Sequence, residues 1–321
     1  MPSHAAAASP AAEARPFDDL AAGYDDVFTH SVIGTLLRRS LQRRLLAAFQ
    51  AGDRVLELAC GTGEDAVHLG RHGVRVLATD ASPSMVAAAK RKVEAAGLQD
   101  LVEVRQLAVE ELSRLGERGP APPAPSSPPS PLAPLPPLAS LSPLAPLPLA
   151  PLAPLSPPAP LAPLAPLSAG LPFDGAFSSF GGFNCIADAR GPARDLAALL
   201  RPGARVLLCV MGPFVPWEWG WFLLRGRPGK AFRRLRRGGA AWRGMVIRYP
   251  SIGAMRRAFE PEFQARRTAA IGVLLPPSYA EPWAARHPRL LARLDRWERR
   301  WETLPPLPWL ADHYLLELER R

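Results

Sequence analysis

The chain has 321 residues, enough for one large domain or two small ones, and carries a formal net charge of +10. Only Lys90, Lys92 and Lys230 are lysines, so the positive balance is almost wholly arginine; it favours acidic partners such as nucleic acid or anionic headgroups without selecting either. The three scattered cysteines, Cys60, Cys185 and Cys209, exclude a disulfide framework and fit a reducing cytoplasm.

Residues 1–16 lack the basic and apolar blocks of a secretory signal and read as a disordered tail. Residues 17–50 follow as a helical cap, with apolar residues at three- and four-residue spacing and arginines between them. "DRVLEL" is a short apolar strand that ends in a glycine turn, and Glu64 to Arg71 then reads as a helix closed by Gly73. Val74 to Asp80 is the second strand. The next helix opens with Ser82 as N-cap and Pro83 in its first turn, where the missing N–H costs nothing. "LVEVRQLAVEEL" supplies the third strand, which completes a first half over residues 51–117. Strand and helix in alternation specify a parallel sheet with right-handed crossovers.

Between Arg118 and Asp174 there is no charged residue, and about half of the chain's 39 prolines fall there. This insert, residues 118–172, cannot join a sheet, because proline lacks the backbone donor; it reads as an extended surface excursion or a partner-binding segment. The fold resumes over 173–212, with a fourth strand to about Ser179, a helix from Ala189 to Leu200 and a fifth strand in "RPGARVLLCVMG". Residues 213–260 form a Trp- and Arg-rich cap. Residues 261–321 hold a sixth strand in "QARRTAAIGVLL", a helical stretch from Ala280 to Trp301 and a seventh strand in "DHYLLELER". The apolar run from Val206 to Leu224 has bilayer length, but Pro213, Pro216 and Glu218 interrupt it, which argues against a span.

The turn "LELACGTGEDA" suits two cofactors. Read from Gly61 it is a dinucleotide fingerprint; read from Glu57 it is a turn for S-adenosylmethionine (SAM). A pyrophosphate on the helix N-terminus wants a neutral or positive mouth. Here Glu64 and Asp65 open the helix and Glu57 ends the strand, so the carboxylates favour a cationic sulfonium and ammonium. Asp80 suits a ribose in either case. An NAD-dependent oxidoreductase, or a scaffold binding partners through the proline segment, stand as alternatives.

"VLELACGTGEDA", "VLATDASPSMV" and "LLRPGARVLLCV" resemble the first, second and fifth-strand motifs of class I SAM-dependent methyltransferases. "FDDLAAGYDDVF" resembles the opening helix of their quinone- and small-molecule-modifying branch, and "SSFGGFN" and "GVLLPPSY" are similar to an uncharacterised bacterial subgroup. The resemblance implies a Rossmann-like, doubly wound, seven-stranded α/β sheet, mostly parallel with the last strand antiparallel. It implies that Glu57 orients the turn and the ligand's amine, and that Ala59, Cys60, Gly61, Thr62 and Gly63 wrap the methionine moiety. Asp80 would hold the ribose, Ala81 and Met85 would line the adenine, and Ser178 would complete the pocket. Two positions depart from the pattern. Ala59 replaces a motif glycine, and the acid after strand three is replaced near Ala108 and Val109, so a backbone carbonyl or Glu110 must take the adenine amino group.

Methyl transfer asks the protein to align nucleophile, methyl and sulfur and to exclude water; a base is needed only when the acceptor loses a proton. Three residues are candidates for the catalytic rim: Tyr24, otherwise lid packing; Asn184, otherwise a helix N-cap; and His313, otherwise a surface histidine. His68 and His72 lie four apart without a third ligand, so they read as exposed and no metal site is expected. The stretch from Trp217 to Arg237 suits either peripheral membrane contact or a cap whose tryptophans cover the site and whose arginines are solvated. The expected partner is a small-molecule acceptor; no nucleic acid or obligate protein partner is expected.

Overall fold

A computed structural model describes residues 17–116 and 172–321, which lie within one compact unit. The tail over 1–16 and the proline-rich insert up to residue 171 lie outside the described residues.

Seven strands form the main sheet: β1 (Arg54–Leu58), β2 (Arg75–Asp80), β3 (Val102–Gln106), β4 (Phe173–Ser178), β5 (Leu200–Met211), β8 (Phe263–Ile271) and β9 (His313–Arg320), in the order β3-β2-β1-β4-β5-β9-β8. The first five pair in parallel, and β9 runs antiparallel to both β5 and β8. The parallel pairing is what the alternation specifies, and the doubly wound whole is what the resemblance implies. β1 shows why it is stable. Val55 faces one core, with Leu37, Leu41 and Leu45, while Leu56 and Leu58 face the other, with Leu196 and Phe259. A strand covered on both faces needs apolar residues at consecutive positions.

The main helices are α1 (Val32–Ala48), α2 (Glu64–Gly70), α3 (Pro83–Ala95), α4 (Arg190–Leu199), α5 (Pro216–Leu223), α6 (Pro228–Ala231), α7 (Ile252–Phe259) and α8 (Pro288–Trp301). Ser82 caps α3 as expected, its hydroxyl accepting from Met85 N at 3.1 Å. The opening segment is not one helix. A π-helical turn, Asp25–Thr29, precedes α1, and Ser31 takes an extended conformation and caps α1 by accepting from Gly34 N at 3.0 Å. The α1 N-terminus is also closed by Glu281, which accepts from Val32 N at 2.6 Å and Ile33 N at 3.1 Å.

Three expected boundaries shift. β3 stops at Gln106, opposite Asp80, because β2 ends there and leaves the chain beyond it without a partner strand. β8 stops at Ile271: Gly272 takes φ +76°, and a Cβ on it would lie 2.8 Å from Leu37 Cδ2. The helical stretch before β9 divides ahead of Pro288, since the residue before proline is driven out of helical geometry. The 213–260 cap also contains a hairpin, β6 (Ala240–Trp242) and β7 (Met245–Ile247), turning on Arg243 and Gly244 at φ +46° and +86°. Two positive φ values in a two-residue loop match the twist of a tight hairpin.

Candidate active site

The glycine turn joins β1 to α2 at the carboxyl ends of the strands. Ala59, Gly61 and Gly63 all have positive φ, at 53°, 55° and 75°. A Cβ at Gly63 would sit 2.9 Å from Ala89 Cβ, so the turn packs directly on α3, whereas a Cβ at Gly61 would meet nothing within 4 Å. The turn is therefore packed from behind and open in front. Gly61 N donates to Asp80 Oδ2 at 2.8 Å and Ser82 N to Asp80 Oδ1 at 2.9 Å, which locks the two strand ends together and fixes the carboxylate's direction. Each oxygen retains a lone pair for a further donor.

The carboxylates divide differently from the sequence expectation. Asp65 turns into the core, where Arg38 Nη1 lies 2.5 Å away and Gln42 Nε2 3.0 Å away. Glu64 pairs with Lys92 Nζ at 2.9 Å. Both are neutralised, so they do not guard the mouth against phosphate as expected. Glu57 is the carboxylate that remains to set the charge of the pocket. It is fully buried, and among the described residues neither carboxylate oxygen has a close hydrogen-bond partner, the Ala66 N–H alone easing its charge. Burial, with Asp65 adding to it, pushes its pKa well above the usual carboxylate range against the pull of Arg38. A buried, unpaired carboxylate calls for a cation and penalises an anion. The residues present therefore fit a ligand carrying an ammonium and a sulfonium.

Around this centre, Met85, Ala108 and Val109 are buried and apolar, Ala81 accepts from Gln106 Nε2 at 3.2 Å, and Ser178 ends β4 with a buried hydroxyl that has no partner. Cys60 is buried in the turn, and burial raises its thiol pKa well above the ordinary value. Glu110 is exposed on the short turn after β3. The opening segment closes over these residues through acids that the sequence did not single out. Asp18 accepts from Ser82 Oγ at 2.5 Å, and Asp25 accepts from Thr62 Oγ1 at 2.7 Å and pairs with Lys92 at 2.7 Å.

Two of the three rim candidates belong to one aromatic row. Tyr24 packs on Phe28 (5.9 Å between ring centres), Phe28 on Phe180 (5.2 Å), and Phe180 edge-on against His313 (5.3 Å). The Arg38 guanidinium lies 5.1 Å over Phe180 and 5.7 Å over Phe28. Burial raises the pKa of the Tyr24 phenol, which stays protonated.

His313 is not a surface histidine. It is 6% exposed, because as the first residue of β9 it sits between Met211 and Ile271 in the sheet. Its Nδ1 lies 3.1 Å from Asp312 Oδ2. Burial opposes ionisation of Asp312, but Arg234 and His313 overcome it and hold the carboxyl far below the usual range. Asn184 is neither an N-cap nor free to meet a ligand. Its Nδ2 donates to Met211 O (3.1 Å) and Arg248 O (2.6 Å) and its Oδ1 accepts from Met211 N (2.9 Å), bracing the end of β5 against the cap. His68 is half-buried rather than exposed, its ring 4.8 Å from that of His72.

The cap arginines are not all solvated. Arg234 is buried between Glu218 Oε2 (2.7 Å) and Asp312 Oδ1 (2.5 Å) and donates to Gly212 O at 3.2 Å, tying α5 to the mouth of β9. Tyr279, from the "GVLLPPSY" stretch, packs against Trp221 and Phe222 with a buried hydroxyl that has no partner.

Residues 55–118 match the family model of a methyltransferase domain. The chain carries a class I SAM-dependent methyltransferase domain. SAM is the methyl donor that this domain implies. The methyltransferase domain is 42% identical over 78 residues to a demethylmenaquinone methyltransferase of Beutenbergia cavernae, covering 24% of this chain and 32% of the relative. It is 32% identical over 80 residues to a SAM-dependent Diels-Alderase of Talaromyces variabilis, covering 24% and 27%. These matches span about a third of each relative's length or less. In solved structures the [4+2]-cyclase SpnF shares the fold, with a TM-score of 0.56 and 13% identity over 98% of this chain and 97% of that one.

Proposed function

We propose that the protein is a SAM-dependent methyltransferase acting on a small, largely apolar acceptor of lipid- or quinone-like character. The observation that carries the cofactor side is Glu57: a fully buried carboxylate that no cation and no close donor among the described residues satisfies, at the end of β1 beside an open turn. On this reading Glu57 holds the ligand's ammonium, Ala59 to Gly63 wrap its methionine part, Asp80 accepts from the ribose hydroxyls, and Met85, Ala108 and Val109 line the adenine. Bound SAM supplies a methyl group already activated by its sulfonium. The apolar acceptor is supported by the row Tyr24–Phe28–Phe180–His313, which offers flat rings and no carboxylate of its own. The relative named a demethylmenaquinone methyltransferase points to a quinone-like acceptor as well.

On this reading His313 takes a proton from the acceptor where one must be lost. Its Nδ1 lies 3.1 Å from Asp312 Oδ2, which orients the ring at the head of β9. Asn184 and Asp312 are positioning residues.

The test is incubation of the purified protein with methyl-labelled SAM and a cell extract. Label in an organic-extractable small molecule supports the reading, and label in protein or RNA contradicts the acceptor class. SAM binding with no label transferred would indicate a use other than methylation, as the Diels-Alderase relative's name suggests for that protein.

A further inference from the structure

The segment from Pro213 to Phe259 carries ten arginines and one lysine against a single carboxylate, Glu218, which is buried and already paired with Arg233 and Arg234. Its outer surface is therefore positive throughout, with Arg225, Arg227, Lys230, Arg236 and Arg237 all exposed. Set among these charges are side chains that water disfavours. Leu224 is 88% exposed, and Leu223, Phe214, Phe232 and Leu235 are each more than a third exposed. An apolar groove of about 480 Å³ runs along one face of α5, with Trp217, Trp221 and Leu224 on one side and Val273 and Leu310 on the other. Among the described residues no helix is long and apolar enough to cross a membrane.

We infer that this face docks the protein on an anionic lipid bilayer, with Leu223 and Leu224 entering the acyl boundary and the surrounding basic side chains meeting the headgroups. Two features select a bilayer over other acidic partners. Nucleic acid would be met by arginines and by flat rings on which bases stack, and it gives no use to protruding leucines. A bilayer rewards both at once, because apolar insertion and headgroup attraction act together at the interface. The groove then opens at the membrane side of the cap, where an apolar acceptor arrives. That purpose rests on the apolar-acceptor reading above; the docking itself does not.

The test is flotation of the full-length protein with vesicles of phosphatidylcholine alone or with a quarter phosphatidylglycerol, read without any methylation assay. Binding should appear on the anionic vesicles, weaken in high salt, and fall on the order of tenfold in Leu224→Asp and again in Arg227→Glu/Lys230→Glu. Both sites are solvent-exposed, so the melting temperature and SAM affinity of these variants should match the wild type. Three results would overturn the inference. One is no binding to anionic vesicles. Another is binding that Leu224→Asp leaves intact, since charge alone would then suffice. The third is release from vesicles by RNA that the same Leu224→Asp variant binds as tightly as the wild type.

Discussion

At Glu57 the fold buries a carboxyl that, among the described residues, only the Ala66 N–H eases, and the expense falls on the ligand-free protein. Burial raises its folded pKa above its unfolded one, so the neutral form stabilises the fold. That stabilisation is full below the ordinary carboxylate range, about 4.3, and is lost as pH rises through the raised value. Glu57→Gln keeps the shape and removes the ionisation. The ligand-free variant should therefore melt above the wild type at alkaline pH by about 1–3 kcal/mol of stability, with the gap closing in acid; equal melting at every pH would remove the raised pKa from the account. His313 is tested by kinetics instead. With a labelled acceptor in hand, His313→Gln should lower kcat by about 10²–10⁴-fold while leaving SAM affinity unchanged. A variant with normal kcat would make His313 a packing residue under Phe180.

The elements that complete the site come from distant parts of the chain. The opening segment is held down by Asp18 on Ser82 and by Asp25 on Thr62 and Lys92, and α5 is held by Arg234 between Glu218 and Asp312. These latches explain what the sequence could not convey. The glycine turn, Glu57 and Asp80 were legible because each lies at a strand end within one short βαβ stretch, where spacing alone fixes the geometry. The aromatic row was not, since it joins residues 24, 28, 180 and 313 across the sheet, and no periodicity links them. His313 misled for a related reason: its burial rests on Asp312 beside it being paired with an arginine contributed by the cap. The same logic misplaced Asp65, whose partner Arg38 is on α1. Arg234→Met should leave the buried Asp312 without its guanidinium, and Glu218 with Arg233 alone, and destabilise the fold by about 3–5 kcal/mol. Limited proteolysis should then cut first within residues 213–239, and a cleavage pattern identical to the wild type would show that Arg234 does not anchor the cap.

Across the whole molecule, the parallel strands were readable from strand and helix alternation, and the antiparallel last strand from the family resemblance. The β6–β7 hairpin was not, because its three-residue strands are too short to show a period. The methyltransferase fold closes without the proline-rich insert, as β4 pairs directly with β1 and β5. Deletion of Pro120 to Leu167 should accordingly leave SAM affinity and the melting temperature unchanged; loss of cofactor binding would give the insert a structural role and revive the scaffold reading.

The claim beneath the rest is that this pocket is built for a cation. Calorimetric titration of SAM and of NADH into the wild type and Glu57→Gln measures it most directly. The account predicts that SAM binds the wild type, that Glu57→Gln weakens it by about 10- to 100-fold through loss of a charge-assisted contact, and that NADH binds neither. NADH binding to the wild type, or SAM affinity untouched by the substitution, would contradict it.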